Sequence, residues 1–309
     1  MSLHLEFRPR SFDEVIGNEE ILKTIKNKLQ KDENGDHDFP HSILLHGPSG
    51  CGKTTIGRII AQELGCSLDS ADYQELDIAQ LTGIDTAREI RQNMNFAPME
   101  SKCRVYILDE FHQASKSFMN GMLKALEDTP KHVYFILCTT DPQKVITTIK
   151  TRCAKYQVKS LNDKQIFQLV EWVLNESDTN IKDNIIEEIV DNSDGCPREA
   201  LVILNSIIDL PENEMMGAIH GQEAQKEIKE LCQAMLKSQN WGKLAKILKG
   251  LKGVEPEQCR RAVLGYMAAV GLNNYNNADR PMLIIDCFRE SVMYSGYPGV
   301  VLACYNTTL

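Results

Sequence analysis

The chain carries ten cysteines, at positions 51, 66, 103, 138, 153, 196, 232, 259, 287 and 304, but no C-x-x-C pair. Scattered single thiols give neither a zinc-ligand spacing nor a disulfide framework. Several fall inside apolar runs, as Cys138 does after Ile136-Leu137, where a reduced thiol packs as a small hydrophobe. No uninterrupted apolar stretch approaches the length of a membrane-spanning helix. Residues 1–10 place charged or polar side chains every few positions and lack the apolar core of a secretory signal, so a cytoplasmic chain with no membrane partner is expected. An excess of positive charge is also missing. The net charge of −9 argues against bulk attraction to nucleic acid. It leaves room for a local basic lining, since residues 142–160 carry Lys144, Lys150, Arg152, Lys155 and Lys159 with no acid among them. Repeats and low-complexity tracts are absent too.

What is present is an ordinary globular composition, 42% hydrophobic and 25% charged, over 309 residues, a length that suits two or three domains. Short apolar runs read as buried strands at Ile43-Leu45, Glu75-Ile78, Val105-Leu108, Val133-Cys138 and Tyr156-Val158. Helical stretches separate them, for example Ser117 to Glu127 with Phe118, Met122, Leu123 and Leu126 on one face. Alternating strands and helices imply an α/β domain with a parallel sheet covered on both sides. After about Ser160 only helical patterns remain. Ile166, Leu169, Val170 and Val173 form one stripe, and Ile185, Ile186, Ile189 and Val190 another. Gly195-Cys196-Pro197 breaks the chain before a helix expected over Arg198 to Ile208. Glu212 to Gly221 reads as a polar linker, and Asn273 to Asn277 as a polar connection between the last helices. Three domains are expected: α/β over 1–160, a small helical lid over 161–211, and a helical domain over 212–309.

The sharpest motif is Gly47-Pro48-Ser49-Gly50-Cys51-Gly52-Lys53-Thr54, followed by Thr55-Ile56-Gly57. It leaves a strand and enters a helix, with the full G-x-x-x-x-G-K-T spacing of a phosphate loop. Its glycines let backbone N–H groups curl around the β- and γ-phosphates at the positive end of the helix dipole. Lys53 can reach phosphoryl oxygens, and the Thr54 hydroxyl can ligate Mg²⁺. ATP and Mg²⁺ are therefore the expected ligands. Leu108-Asp109-Glu110 ends a strong strand, expected beside the loop. There Asp109 can serve the metal and Glu110 can orient the attacking water. Thr139-Thr140 ends the next strand, where a polar side chain can sense the γ-phosphate or simply cap a turn. Arg198 begins a helix, against the dipole, which suggests a phosphate partner from outside that helix.

Taken together, Thr139-Thr140-Asp141-Pro142-Gln143-Lys144 and Thr151-Arg152-Cys153 resemble the sensor and finger segments of AAA+ clamp-loader ATPase subunits. The similarity is to the bacterial DNA polymerase III gamma/tau type and to replication factor C small subunits. Arg8-Pro9, with Phe12-Asp13-Glu14-Val15-Ile16-Gly17, resembles that family's adenine-side opening. Gly83-Ile84-Asp85, Leu126-Glu127-Asp128-Thr129-Pro130 and Gly195-Cys196-Pro197-Arg198-Glu199-Ala200-Leu201 are similar to it as well. The likeness covers roughly residues 5–210.

The resemblance implies an AAA+ sheet with a helical lid and an all-α collar. The implied activity is that of an ATPase that opens a ring-shaped sliding clamp and places it on primer–template DNA. By the same resemblance Arg8, Pro9, Val15 and Ile16 border the adenine, Thr140 is the first sensor and Arg198 the second. Arg152 is then the arginine finger, acting on ATP held by a neighbouring subunit in a five-subunit assembly. Arg88, Lys116 and Thr148 line up with the family's contacts to DNA phosphates, although singly they also read as solvated polar residues. Met94, Phe96 and Met99 read either as a clamp-docking patch or as core.

Two departures from the pattern stand out. The bacterial subunit carries a zinc module before the Asp-Glu strand, where this chain has only Cys66 before Cys103, so no zinc is expected. The finger reads Thr-Arg-Cys in place of Ser-Arg-Cys. With no long tail after one helical domain, the pattern suits a compact loader, cellular or phage-encoded. Two alternatives stay open: another AAA+ DNA-remodelling ATPase, such as a helicase loader or branch-migration motor, and a non-hydrolysing structural subunit.

Overall fold

Five short runs, each apolar on alternate positions to both sides, form one parallel sheet in a computed structural model that describes residues 2–30, 38–80, 83–237, 240–273 and 278–308. The strands are β1 (Ser42–His46), β2 (Tyr73–Asp77), β3 (Arg104–Asp109), β4 (Val133–Thr139) and β5 (Ala154–Gln157), in the order β2-β3-β4-β1-β5. Helices connect them: α1 (Leu3–Glu6), α2 (Glu19–Leu29), α3 (Lys53–Glu63), α4 (Ile84–Asn93), α5 (Lys116–Glu127) and α6 (Thr147–Lys150). The period of two decides the layers. Ile43, Leu45, Val105, Ile107 and Ile136 point to one face and pack on Ile56, Ile59 and Ile60 of α3. Leu44, Tyr106, Leu108, Phe135 and Leu137 point to the other, against Ala87 and Ile90 of α4 and Phe118, Met119 and Met122 of α5. A sheet buried on both faces explains why its strands read as nearly continuous apolar runs.

Three more helices follow: α7 (Asp163–Glu176), α8 (Asp183–Asn192) and α9 (Pro197–Ile207). Asn162 and Gln165 close a capping box at the start of α7, and Pro197 takes the first position of α9, where its missing N–H costs nothing. Sheet and helices up to Asp209 form one compact unit, and Leu210–Leu309 forms a second. The second unit is wholly helical in its described residues, with α10 (Glu212–Leu236), α11 (Trp241–Gly250), α12 (Pro256–Asn273), α13 (Asp279–Cys287) and α14 (Gly296–Asn306). Its core gathers Leu231, Met235, Leu244, Val263, Met267, Ile284 and Val300. Among the described residues, no helix is long and apolar enough to cross a membrane.

One sequence expectation fails here. The stretch 212–221 is no linker but lies within α10. Glu212, Asn213 and Glu214 are exposed, while Met215 and Ile219, four apart, are buried. Glu212 and Glu214 in the first turn also favour the positive end of the dipole. Of the connection expected at 273–277, Asn273 ends α12 and 274–277 lie outside the described residues. Eight of the ten cysteines are buried, and Cys196 and Cys287 are partly exposed.

A buried carboxylate fixes the loop before β3. Asp72, fully enclosed, accepts backbone N–H groups from Met99, Glu100 and Ser101 at 2.8–3.0 Å and the Arg104 guanidinium at 3.0 Å. Arg104 in turn donates to the Asn93 carbonyl at 2.6 Å. Burial alone would raise the Asp72 pKa, but these donors outweigh it and hold the group at about 2. The loop so anchored splits the candidate patch. Met94 is buried in the core with Ile90, whereas Phe96 and Met99 are 64% and 82% exposed.

Because its native pKa lies below the unfolded value of about 3.9, ionised Asp72 stabilises the fold fully above that value. The contribution is lost as pH falls towards 2. Asp72→Ala should lower the unfolding free energy by roughly 3 kcal/mol at neutral pH, since it leaves Arg104 buried without its partner. Urea denaturation from pH 7 down to 2.5 should show the gap between wild type and variant narrowing below pH 4. A constant gap would refute the assignment.

Candidate nucleotide site

The loop Gly47–Thr54 leaves the C-terminal end of β1 and enters α3, where the crevice of a parallel sheet receives ligands. Its glycines are required by close contacts or by positive φ. Gly47 has φ +153°, and a Cβ there would stand 1.9 Å from the Val158 carbonyl oxygen; Gly50 and Gly52 have φ of +72° and +90°. Lys53, almost wholly buried, donates from Nζ to the carbonyls of Gly47 at 3.0 Å and Pro48 at 2.7 Å. The ammonium is thus held over the concavity of its own loop.

Thr54 Oγ1 donates to Asp109 Oδ2 at 2.7 Å. A hydroxyl and a carboxylate oxygen meeting beside a phosphate loop are hard oxygen donors of the kind Mg²⁺ prefers, so these residues fit that ion. Glu110 follows in the left-handed region, at φ +49°, unusual for a residue with a side chain. The turn lets its backbone N–H bond Asp109 Oδ1 at 2.9 Å and places Glu110 on the wall of the cleft. Strain at such a position is commonly functional. Nδ1 of His112 lies 3.3 Å from Glu110 Oε2 and 3.5 Å from Thr140 Oγ1, so one imidazole links the acid to the end of β4.

The expectation that β3 lies beside the loop strand is corrected. β4 is inserted between β3 and β1, with His46 paired to Thr139 and Leu108 to Leu137. Asp109 therefore reaches Thr54 past β4, and Thr140 emerges between the loop and the acid pair. Strand order depends on long-range packing, which local pattern does not encode.

Two adjoining hollows make up the cleft. One is lined by Arg8, Ser49, Gly50, Gly52, Lys53, Thr54, Thr55, Asp109, Glu110 and Arg198. The other, more apolar, shares Arg8, Gly50, Gly52, Thr55 and Arg198 and adds Pro9, Val15, Ile16, Cys51, Leu161, Leu169 and Leu201. The N-terminal segment is pinned there by Phe7 packing edge-on against Trp172, with ring centres 5.6 Å apart, and by the Leu3 N–H donating to Asn205. Arg58 is neutralised by a two-pronged pair with Glu75 at 2.7 and 2.8 Å. Arg8 and Arg198 have no ion pair among the described residues. Burial first, then repulsion from Arg58, lowers the Arg8 pKa; Glu75 opposes this and Arg198 adds to it. Uncompensated guanidinium groups beside a phosphate loop leave positive potential for a polyanion.

The cleft thus gathers all the residues read from the sequence as nucleotide-binding, with Gly47 and Pro48 contributing carbonyls to Lys53. It does not include Arg152, which precedes β5. Ala154 pairs with Ile43 near the start of β1, whereas the loop begins after His46, at the opposite end of the sheet. Arg152 instead donates to Glu127 at 3.1 Å and to the Thr148 carbonyl at 2.9 Å. Arg88, Lys116 and Thr148 are exposed on α4, α5 and α6, where α5 packs against both of the others. Within the basic run, Lys144 pairs with Asp141 and Lys150 bonds the Pro142 carbonyl. Sequence reading missed Leu161, Leu169, Leu201 and His112. Leu169 reads as part of an ordinary core stripe, Leu161 and Leu201 carry no separate signal, and neither does a single histidine after a turn.

A family model described as "DNA polymerase III, delta subunit" matches residues 70–162. DNA polymerase III subunit gamma of Buchnera aphidicola is 32% identical over 229 residues, 68% of this chain and 62% of that protein. DNA polymerase III subunit tau of Bacillus subtilis is 32% identical over 257 residues, 76% of this chain and 45% of its own length. The chain has the AAA+ fold and is similar to these DNA polymerase III gamma and tau subunits. It spans less than two thirds of either relative's length. The Thermotoga maritima RuvB Holliday junction branch migration motor shares the AAA+ fold at TM-score 0.58, with 21% identity over 72% of this chain and 78% of that one.

The close approach at Gly47 is directly testable. Gly47→Ala should destabilise the AAA+ unit by roughly 2 kcal/mol or more, because the added Cβ collides with backbone. Gly52→Ala, where a Cβ meets nothing within 4 Å, should cost about half as much, through its φ alone. Chemical denaturation of both variants ranks them, and the reverse order would contradict the loop geometry.

Proposed function

We propose that this chain is a motor subunit of a sliding-clamp loader that binds and hydrolyses ATP at subunit interfaces. The observation that carries the reading is the division of the catalytic groups. Lys53, Thr54, Asp109, Glu110 and Arg198 line one cleft and Thr140 is joined to Glu110 through His112, while Arg152 stands at the other end of the sheet. A guanidinium so placed serves a neighbour's phosphates better than its own, which makes hydrolysis depend on assembly.

In this reading the loop N–H groups hold the β- and γ-phosphates, and Lys53 exchanges the Gly47 and Pro48 carbonyls for phosphoryl oxygens. Adenine lies in the apolar hollow of Val15, Ile16, Leu161 and Leu201 beside Arg8 and Pro9. Thr54 and Asp109 would hold Mg²⁺, which offsets phosphate charge when bound. Glu110 orients the attacking water, and Thr140 meets the γ-phosphate from β4. Arg198 carries the nucleotide state to the helices of residues 161–211, acting as a lid. Loss of the γ-phosphate releases these contacts, an order–disorder switch.

Partners follow from the surface. Phe96 and Met99, exposed on the loop that Asp72 anchors, suit docking on the clamp. Arg88, Lys116 and Thr148 would meet DNA phosphates, positioning primer–template without reading its sequence. Residues 212–309, with Leu272, Met293 and Tyr294 exposed, would form the collar of a five-subunit assembly in the cytoplasm.

The test is ATPase rate with clamp, primed DNA, both or neither. Both together should stimulate most, and Arg152→Ala should remove roughly a hundredfold or more of that rate while ATP binding persists. Lys53→Ala should abolish binding itself. Stimulation by DNA alone equal to DNA plus clamp would favour a branch-migration type of motor. Unchanged clamp loading by Lys53→Ala would favour a structural subunit.

A further inference from the structure

The cleft carries a thiol on each side, and the two meet. Cys51 lies between Gly50 and Gly52 of the phosphate loop. Cys196 is the N-cap of α9, two residues before Arg198. Both sulfurs lie on one acceptor, the Ser49 carbonyl, at 3.6 Å for Cys51 and 3.5 Å for Cys196. The approach needs glycine at position 50, where a Cβ would stand 2.4 Å from Cys196 Sγ. A second pair of thiols, Cys66 and Cys103, is 1% and 4% exposed, closed to reagents in the core. Cys196 is partly exposed.

The two thiols have unequal chemistry. The neighbouring Cys51 thiol, with further help from the N–H groups of Glu199 and Arg198 at the start of α9, outweighs burial and lowers the Cys196 pKa to about 6. The same coupling, with burial, raises that of Cys51. A nucleophilic thiolate beside a protonated thiol is the arrangement of a redox-sensitive pair.

We propose that Cys51 and Cys196 form a reversible thiol–disulfide site that ties the phosphate loop to α9 when the protein meets a peroxide. The Cys196 thiolate attacks one peroxide oxygen, the O–O bond breaks, and Cys196 becomes a sulfenic acid as hydroxide leaves. The Cys51 sulfur then attacks the sulfenic sulfur, the S–O bond breaks, and the departing hydroxide takes up the Cys51 proton as water. Two thiols are oxidised to one disulfide and one hydrogen peroxide is reduced to two waters. A dithiol reductant reverses the step by exchange. The bond, about 2.05 Å long, would fix the helix that bears Arg198 against the loop that bears Lys53. Nucleotide exchange would then stall, a consequence that rests on the proposed ATP site, whereas the cross-link does not.

The experiment treats the full chain with hydrogen peroxide and maps its thiols by mass spectrometry without reduction. A linked Cys51–Cys196 peptide is expected before any other disulfide. Exchange of a fluorescent ATP analogue should slow by about tenfold or more, the scale of a lid held in one arrangement, and recover with dithiothreitol. Cys196→Ser should keep basal exchange and lose the sensitivity, and Cys196→Ala serves if the serine variant melts at lower temperature. Free Cys51 and Cys196 after oxidation elsewhere, or equal sensitivity in both variants, would overturn the proposal. If the cross-link forms but the reduced protein binds no ATP analogue, the disulfide site stands and the nucleotide reading falls.

Discussion

The hydrogen bond from Thr54 to Asp109 depends on most of the sheet being right. One partner opens α3, the other ends β3, and β4 runs between their strands. They meet only because Leu44, Leu137 and Leu108 lie at one level across three strands. A slip of one residue in either pairing would turn Asp109 to the opposite face and move the core residues of β3 with it. The apolar side chains on both faces therefore do more than stabilise the sheet: they hold an acid and a hydroxyl within reach of one ion. The strained Glu110 backbone, which directly follows, is tolerable for the same reason. Its neighbours Leu108 and Phe111 are fully buried, and the turn between them has little freedom to relax.

Much of this was legible in the sequence where the physics is local. Strand periodicity, the spacing of the phosphate loop and the break at Gly195-Cys196-Pro197 all depend on neighbours within a few residues, and the five strands lie where their apolar runs lie. What escaped was set at long range. Nothing in Val133–Cys138 says that it inserts beside β1. Nothing near Met94 separates it from Met99; the difference comes from Asp72, more than twenty residues earlier, which captures the backbone of the later residue. The stretch after Pro211 failed for another reason. Polar composition was taken for a linker, although Met215 and Ile219 already carried the four-residue spacing of a helix.

The acidic net charge and the basic cleft are compatible because they act over different distances. At physiological salt a charge more than about 8 Å away is largely screened, so the bulk excess of acid would hardly reach a phosphate bound beside Lys53, Arg8 and Arg198 as proposed. Arg58 shows the same logic from the other side. Its fork onto Glu75 cancels a charge that would otherwise crowd Arg8 further.

The present partners of Arg152 are weak. The Glu127 carboxylate is 60% exposed and the Arg152 side chain 30%, and an ion pair open to water contributes at most about 1 kcal/mol. The Nε of the same guanidinium is buried with no acceptor. A group so held has little to lose by turning to a more highly charged acceptor, and it has a donor already waiting. Phosphoryl oxygens offer both the charge and the planar match to a guanidinium fork. The resting pair thus keeps the arginine ordered without committing it there, as the role proposed for it in a neighbour's site would require.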